Sequence, residues 1–505
     1  MKLLPLILMC GCCTVSISSA ADIGQFTTSR DIGDVKNAGS AKYDAERQFY
    51  EIAGSGTNMW FDKDECQFVY RKLSGDFILR TRAHLIGEGV DPHRKLGWMI
   101  RTSLDTDSPY VDVAVHGDGL TSMQFRRTVG AETEQVESKL TGPDVIQLSR
   151  RNGTYVMSVA KYGDTLSSEE LTEIELGDEV YVGLFVCSHN ADVVEKAVFE
   201  NVRIIKPADP EFQPYRDYIG SNLEVMDMEE GHRQIVHTVD DSLQAPNWTR
   251  DDKALIYNRN GLLYRFDLAT QSASQIDSGF ATQNNNDHVI SFDGKRLGIS
   301  HHTGEDRKSV VYTMPINGGT PKAITTLDAH SYFHGWSPDD KHLIYTAQRN
   351  GDFDIFRIPS AGGEEVNLTN TKGLDDGSEY APGGDAIYFN SSRSGSMQVW
   401  SMDADGKRQS QVTDDEYNNW FPHISPDGKS MVILSFDASV EADDHPFYKQ
   451  VYIRLLRKQD DGWSKPEVIA YVYGGQGTIN VPSWSPDGKR IAFVSNSDHQ
   501  KLTLE

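Results

Sequence analysis

The chain is poor in cysteine, in positive charge and in long apolar runs, and each shortage excludes something. Of its 5 cysteines, Cys10, Cys12 and Cys13 fall together near the N-terminus. The other two, Cys66 and Cys187, make no disulfide framework, and neither belongs to a Cys-x-x-Cys, so a zinc ribbon of that type is excluded. Both sit in strand-like runs, and two readings stay open: a disulfide in an oxidising compartment, or two small buried thiols. Lys plus Arg number 49 against 74 Asp plus Glu, a net charge of −25. Such a surface repels phosphate backbones and anionic lipid, so no nucleic-acid partner is expected. No segment holds 18 consecutive apolar residues, so no transmembrane segment is expected either. A Gly-x-Ser-x-Gly elbow, a phosphate-binding loop and a dinucleotide fingerprint are all missing, which excludes the hydrolase, nucleotide and Rossmann chemistries that need them.

What is present begins with an export pattern. Lys2 precedes the apolar run Leu3 to Met9, and small residues follow up to Ser18-Ser19-Ala20. This predicts a signal peptide over residues 1–20 and a protein that is periplasmic or extracellular. Lipid anchoring at Cys12, after Gly11, is the lesser alternative, because Met9 and Cys10 fit a lipoprotein box poorly. With 505 residues, two or three domains are expected.

Residues 22–207 carry no internal period. They read as alternating strands, among them Val111-Asp112-Val113-Ala114-Val115, Tyr155-Val156-Met157-Ser158-Val159 and Val180-Tyr181-Val182-Gly183-Leu184, separated by turns such as Gly117-Asp118-Gly119 and Asn152-Gly153. Half-buried strands with hairpin turns predict a β-sandwich. The segments Gly54-Ser55-Gly56-Thr57-Asn58-Met59-Trp60-Phe61 and Gly75-Asp76-Phe77 resemble concanavalin-like sandwich domains of exported bacterial proteins. That resemblance implies either a glycan-binding accessory domain or a packing module. Pro207, Pro210 and Pro214 then punctuate a linker over 208–218, and two independently folding halves are expected.

From there to residue 501 the chain repeats. Trp336-Ser337-Pro338-Asp339-Asp340, Ile424-Ser425-Pro426-Asp427-Gly428 and Trp484-Ser485-Pro486-Asp487-Gly488 are clear copies; weaker ones begin at Trp248, Ile290 and Tyr380. Each anchor is followed by strands and a Gly-rich turn, four strands to a unit, which is one propeller blade. The repeats resemble the TolB-like propellers of bacterial envelope proteins. The fold class is therefore all-β, a sandwich followed by a six-bladed propeller over 219–501. Two orphan strands before Trp248 and two missing after Trp484 predict a sixth blade shared between residues near 221–240 and near 479–496.

The irregular loops lie on one face of such a ring. His288, His334 and His423 stand one or two residues before their anchors, so they are expected around the channel mouth as ligands of one divalent metal ion (Mn, Zn or Ca). His445 and Tyr448 are the candidate proton-transfer groups. Asn286, Glu379, Asn419, Trp420, Arg349, Arg393 and Gln476 are the candidate ligand-binding residues, Trp420 offering a flat face to a sugar ring. The layout is similar to that of the oligogalacturonate lyases, propellers that hold a metal by histidines. The resemblance implies an exported protein that recognises a carbohydrate, or cleaves it as a metal-assisted lyase. The alternative is a non-catalytic periplasmic TolB-type scaffold or protein-interaction module. The expected partner is accordingly a glycan or a cell-envelope protein.

Overall fold

A computed structural model describes residues 22–326, 329–349 and 351–503. The expected signal peptide over residues 1–20, including Cys12, lies outside the described residues. Among those described, no helix is long and apolar enough to cross a membrane. The secondary structure of the described residues is almost wholly β, with one short helix at His499–Thr503.

The N-terminal region forms two antiparallel sheets of seven strands each. Alternation along the strands explains their packing: Leu96, Trp98 and Ile100 of Lys95–Arg101 meet Leu79, Ile146 and Met157 of the opposite sheet in one core. The other face of Lys95–Arg101 is covered as well. There Met99 packs with Met59, while Arg126 and Arg101 hold the buried Asp64 carboxylate at 2.8 and 3.3 Å. This double cover explains why Lys95–Arg101 and Tyr110–His116 are buried along their whole length. Cys66 and Cys187 end neighbouring strands of the same sheet as free, buried thiols.

Six blades follow. Five are continuous in the chain, starting with Gln244–Trp248, Asn284–Ile290, Ser331–Trp336, Asp375–Tyr380 and Asn418–Ile424 as innermost strands. The sixth joins Arg490–Asn496 to Ser221–Asp227, which pairs on its far side with Arg233–Val239. A single bridge, Trp484 to Ile491, supplies its innermost contact. The ring thus closes by strands from both ends of the repeat region, as the orphan strands predicted. In the fifth blade Lys449–Gln459 is long, and Glu467–Gly474 pairs with it, which accounts for the wider spacing before Trp484.

The segment joining sandwich and ring is not a free linker. The Ala208 and Ile219 N–H groups donate to Tyr473 and Tyr448, each at 3.0 Å, and Phe212 packs edge-on to Tyr448 with centroids 4.7 Å apart.

Candidate functional site

Five innermost strands share one irregularity near their start. In the first, third, fourth and fifth blades the pairing register slips by a bulge, as between Phe333 and Gly335 or between Asp376 and Glu379. In the second blade the slip is longer, with the stretch Asn284–His288 facing only His301 to Ile299. A bulge re-aims the side chains ahead of it. Here they converge on a cavity of about 830 Å³ at the mouth of the channel.

The cavity wall has three chemistries. Amides dominate: Gln244, Asn258, Asn260, Asn286, Gln476 and Asn480 all line it. They hold one another, Asn286 donating to Gln244 at 3.0 Å and Asn480 to Gln476 at 2.9 Å. Aromatic faces come from Tyr332, Phe353 and Phe421, and from Tyr215 and Tyr218 of the joining segment. The third group is titratable: Asp287, His302, Arg307, His334, Asp376 and His445.

The His334 Nε2–H donates to Asp376 at 2.8 Å. Burial opposes the charge on both, but the pairing wins. Asp376 is held down at about 2 by the His334 imidazolium, and His334 is raised by the two carboxylates, Asp376 first. Asp287 behaves oppositely: burial, with Asp376 adding to it, outweighs His334 and pushes its carboxyl up to about 6. Two carboxyl groups in one cavity are thereby set apart, one ionised throughout the neutral range and one able to carry a proton near pH 6. His445 lies against Trp420, ring centroids 4.4 Å apart, and its Nδ1 is buried without a partner; burial lowers its pKa.

Of the residues singled out from the sequence, Asn286, His334, His445 and Gln476 line this cavity. The others do not. Both ring nitrogens of His288 face main-chain oxygens, those of Asn286 and Ile256 at 3.0 and 3.1 Å. His423 is held by Glu379 at 2.6 Å and by the Ile479 carbonyl, which employs Glu379 too. The three histidines expected to share a metal therefore do not converge, and these residues do not fit a cation: two of the imidazoles have no open lone pair and the third is committed to Asp376. Tyr448 is buried beneath the joining segment, away from the cavity. Asn419 sits in a buried network with Gln398, Ser435 and Arg454, and Trp420 is fully buried behind His445. Arg349 pairs with Glu365 at 2.6 Å and Arg393 with Asp375 at 2.8 Å, both within the blades.

The sequence reading missed Asp287, Asp376, Tyr332 and the amides of the first blade. Asp287 and Asp376 each lie within three residues of a chosen position, in loops already marked as irregular. The available signal was their doubled polar context, Asn285-Asn286-Asp287 and Asp375-Asp376.

Comparison with known proteins agrees with the ring. The profile of the TolB beta propeller domain matches residues 288–444. An uncharacterized protein of Agrobacterium fabrum, Atu1656, is 42% identical over 275 residues, covering 54% of this chain and 92% of that protein. The solved structure of a candidate TolB from Agrobacterium tumefaciens, also 42% identical, superposes with a TM-score of 0.52 over 55% of this chain and 99% of its own. TolB from Acinetobacter baumannii is 19% identical with a TM-score of 0.39, over 51% of this chain and 64% of its own.

Proposed function

Because this chain belongs to the TolB-like β-propeller family, we propose that it is an exported recognition protein whose channel-mouth cavity binds an uncharged, hydroxyl-rich ligand, a neutral oligosaccharide. The observation that carries this reading is the wall of the cavity. Paired amides and a fixed carboxylate suit the alternating donors and acceptors of vicinal hydroxyls, and Tyr332, Phe353 and Phe421 supply apolar faces for sugar rings. Charge narrows the class. Asp376 is balanced by the His334 imidazolium and Arg307 also stands on the wall, so the repulsion a polyuronate meets is that of the chain's overall −25. Neutral glycans meet no such barrier.

Cleavage is a second reading, favoured by one observation. Asp287, pushed up to about 6 beside an ionised Asp376, is the arrangement of a proton donor and a charge-stabilising carboxylate.

The test is thermal shift and calorimetry on the whole chain with a panel of neutral oligosaccharides and, in parallel, galacturonate oligomers. Neutral ligands should raise the melting temperature, galacturonates should not, and Asn286→Ala should weaken binding. No response to any neutral oligosaccharide would remove the carbohydrate reading in favour of a cell-envelope protein as partner. Product release from a bound oligosaccharide, lost in Asp287→Asn, would establish cleavage.

A further inference from the structure

We propose that the sandwich carries a cation site of its own, in which His93, His116 and Asp118 bind a divalent transition metal of zinc-like softness. Among the described residues these are the one trio of His, Cys, Asp or Glu side chains whose ligand atoms all lie within 4.8 Å of one another. The fold brings them together at one end of a sheet. Val180–Cys187, Lys95–Arg101 and Tyr110–His116 are adjacent strands, and the loops at that end carry His189, His93 and Asp118. Main-chain bonds hold two of the loops together, Gly117 N–H donating to the Arg94 carbonyl at 2.8 Å and Asp118 N–H to the Pro92 carbonyl at 2.9 Å.

The state of His116 is the second, independent observation. The residue is only 7% exposed, and its Nδ1 is buried with no hydrogen-bond partner. Its Nε2 is 3.3 Å from the Gln124 amide. A buried imidazole nitrogen without a partner is costly, and a cation satisfies it. Gln124 completes the arrangement from outside. Its Oε1 is also buried without a partner. Turned over, the amide presents Oε1 to His116, whose Nε2–H then donates to it. That fixes the tautomer with the lone pair on Nδ1, the usual role of an outer hydrogen bond to a metal-binding histidine.

The donor set, two imidazoles and a carboxylate, suits zinc or a neighbouring first-row ion, with one position left for water or for His189. The His189 ring lies 5.4 Å from that of His93, and its Nδ1 is 3.5 Å from Asp91. Lys95 is buried in the neighbouring strand directly opposite His116, and a bound cation has to outweigh its charge. Such a cation would tie together the neighbouring ends of Lys95–Arg101 and Tyr110–His116, far from the amide-lined cavity of the ring in kind.

The experiment uses the untagged whole chain, stripped with chelator and titrated with cobalt(II), then zinc(II). One equivalent of cobalt should give the visible bands of a low-coordinate centre, and zinc should bleach them. His93→Ala and Asp118→Asn, both at exposed side chains and so neutral to folding, should each weaken binding about tenfold or more, and Gln124→Ala by about 10–100-fold. His334→Ala in the propeller should leave the titration unchanged. Absence of the cobalt bands, or binding that His93→Ala and Asp118→Asn leave intact, would overturn the site.

Discussion

Asp376 and Asp287 both bear on the His334 imidazole, and the same burial leaves them in opposite states. The folded pKa of Asp376, about 2, lies below its ordinary 3.8, so its stabilising contribution is present above pH 3.8 and disappears as pH falls through 2. That of His334 is raised above 6.5, so its contribution is complete below 6.5 and is lost as pH rises through the folded value. The pair is therefore strongest between about pH 4 and 6.5. Asp376→Asn should cost about 2–3 kcal/mol within that window, because the buried imidazole loses its counter-charge and gives up its proton, and clearly less at pH 9. Asp287 has the reverse sign, since ionising it above about 6 works against folding. Urea unfolding of wild type and Asp376→Asn at pH 5.5 and 9 measures this; an equal cost at both would refute the ion pair.

The turn between the first two strands of each blade is the element the sequence declares most openly. In Ser337-Pro338-Asp339-Asp340 the serine hydroxyl donates to Asp339 at 2.7 Å and accepts the His342 N–H at 2.9 Å, and the same bonds recur in the copies at Ser425 and Ser485. The last position needs a left-handed backbone, taken by Gly428 and Gly488 at φ 71–72°. The third blade puts Asp340 there at φ 57°, and its carboxylate accepts the Phe292 and Asp293 N–H groups of the second blade, each at 2.8 Å. The residue that departs from the repeat is thus a stitch between blades. Asp340→Ala keeps the strain and loses the stitch, so it should be less stable than Asp340→Gly by about 1–2 kcal/mol in chemical denaturation.

Across the whole molecule the ring closure and the docking of the sandwich meet at one buried carboxylate. Glu224, on the strand that closes the sixth blade, pairs with Arg203 of the sandwich at 2.6 Å and with Arg233 of the ring at 2.9 Å, and accepts the Ser495 hydroxyl from the C-terminal strand. Burial raises the pKa of its carboxyl, but the two arginines hold it down at about 2. Arg80 of the sandwich and Arg233 both donate to the Tyr471 carbonyl. The expectation of two independent halves therefore changes: sandwich and ring should melt in one calorimetric transition, and a chain cut between 207 and 216 should stay associated. Glu224→Gln should cost about 3–5 kcal/mol, because two guanidinium groups lose their counter-charge. Two separate transitions in the wild type would refute the shared unit. The sequence by itself determined what is periodic and local: strands from alternation, blades from the Ser-Pro-Asp turn, and six of them from the strands left over at each end. Which residues face the cavity was decided only in three dimensions. His288 and His334 both stand two residues before their anchors, yet in the second blade the slip falls ahead of His288, which pairs with Ile299 and turns into the blade while Asp287 reaches the cavity; in the third blade His334 is itself the extra residue and faces the cavity. In a strand a bulge exchanges the faces of the residues before it, and no anchor motif records where the bulge falls. The trio of His93, His116 and Asp118 was hidden for a similar reason, since its members meet only through the pairing of neighbouring strands.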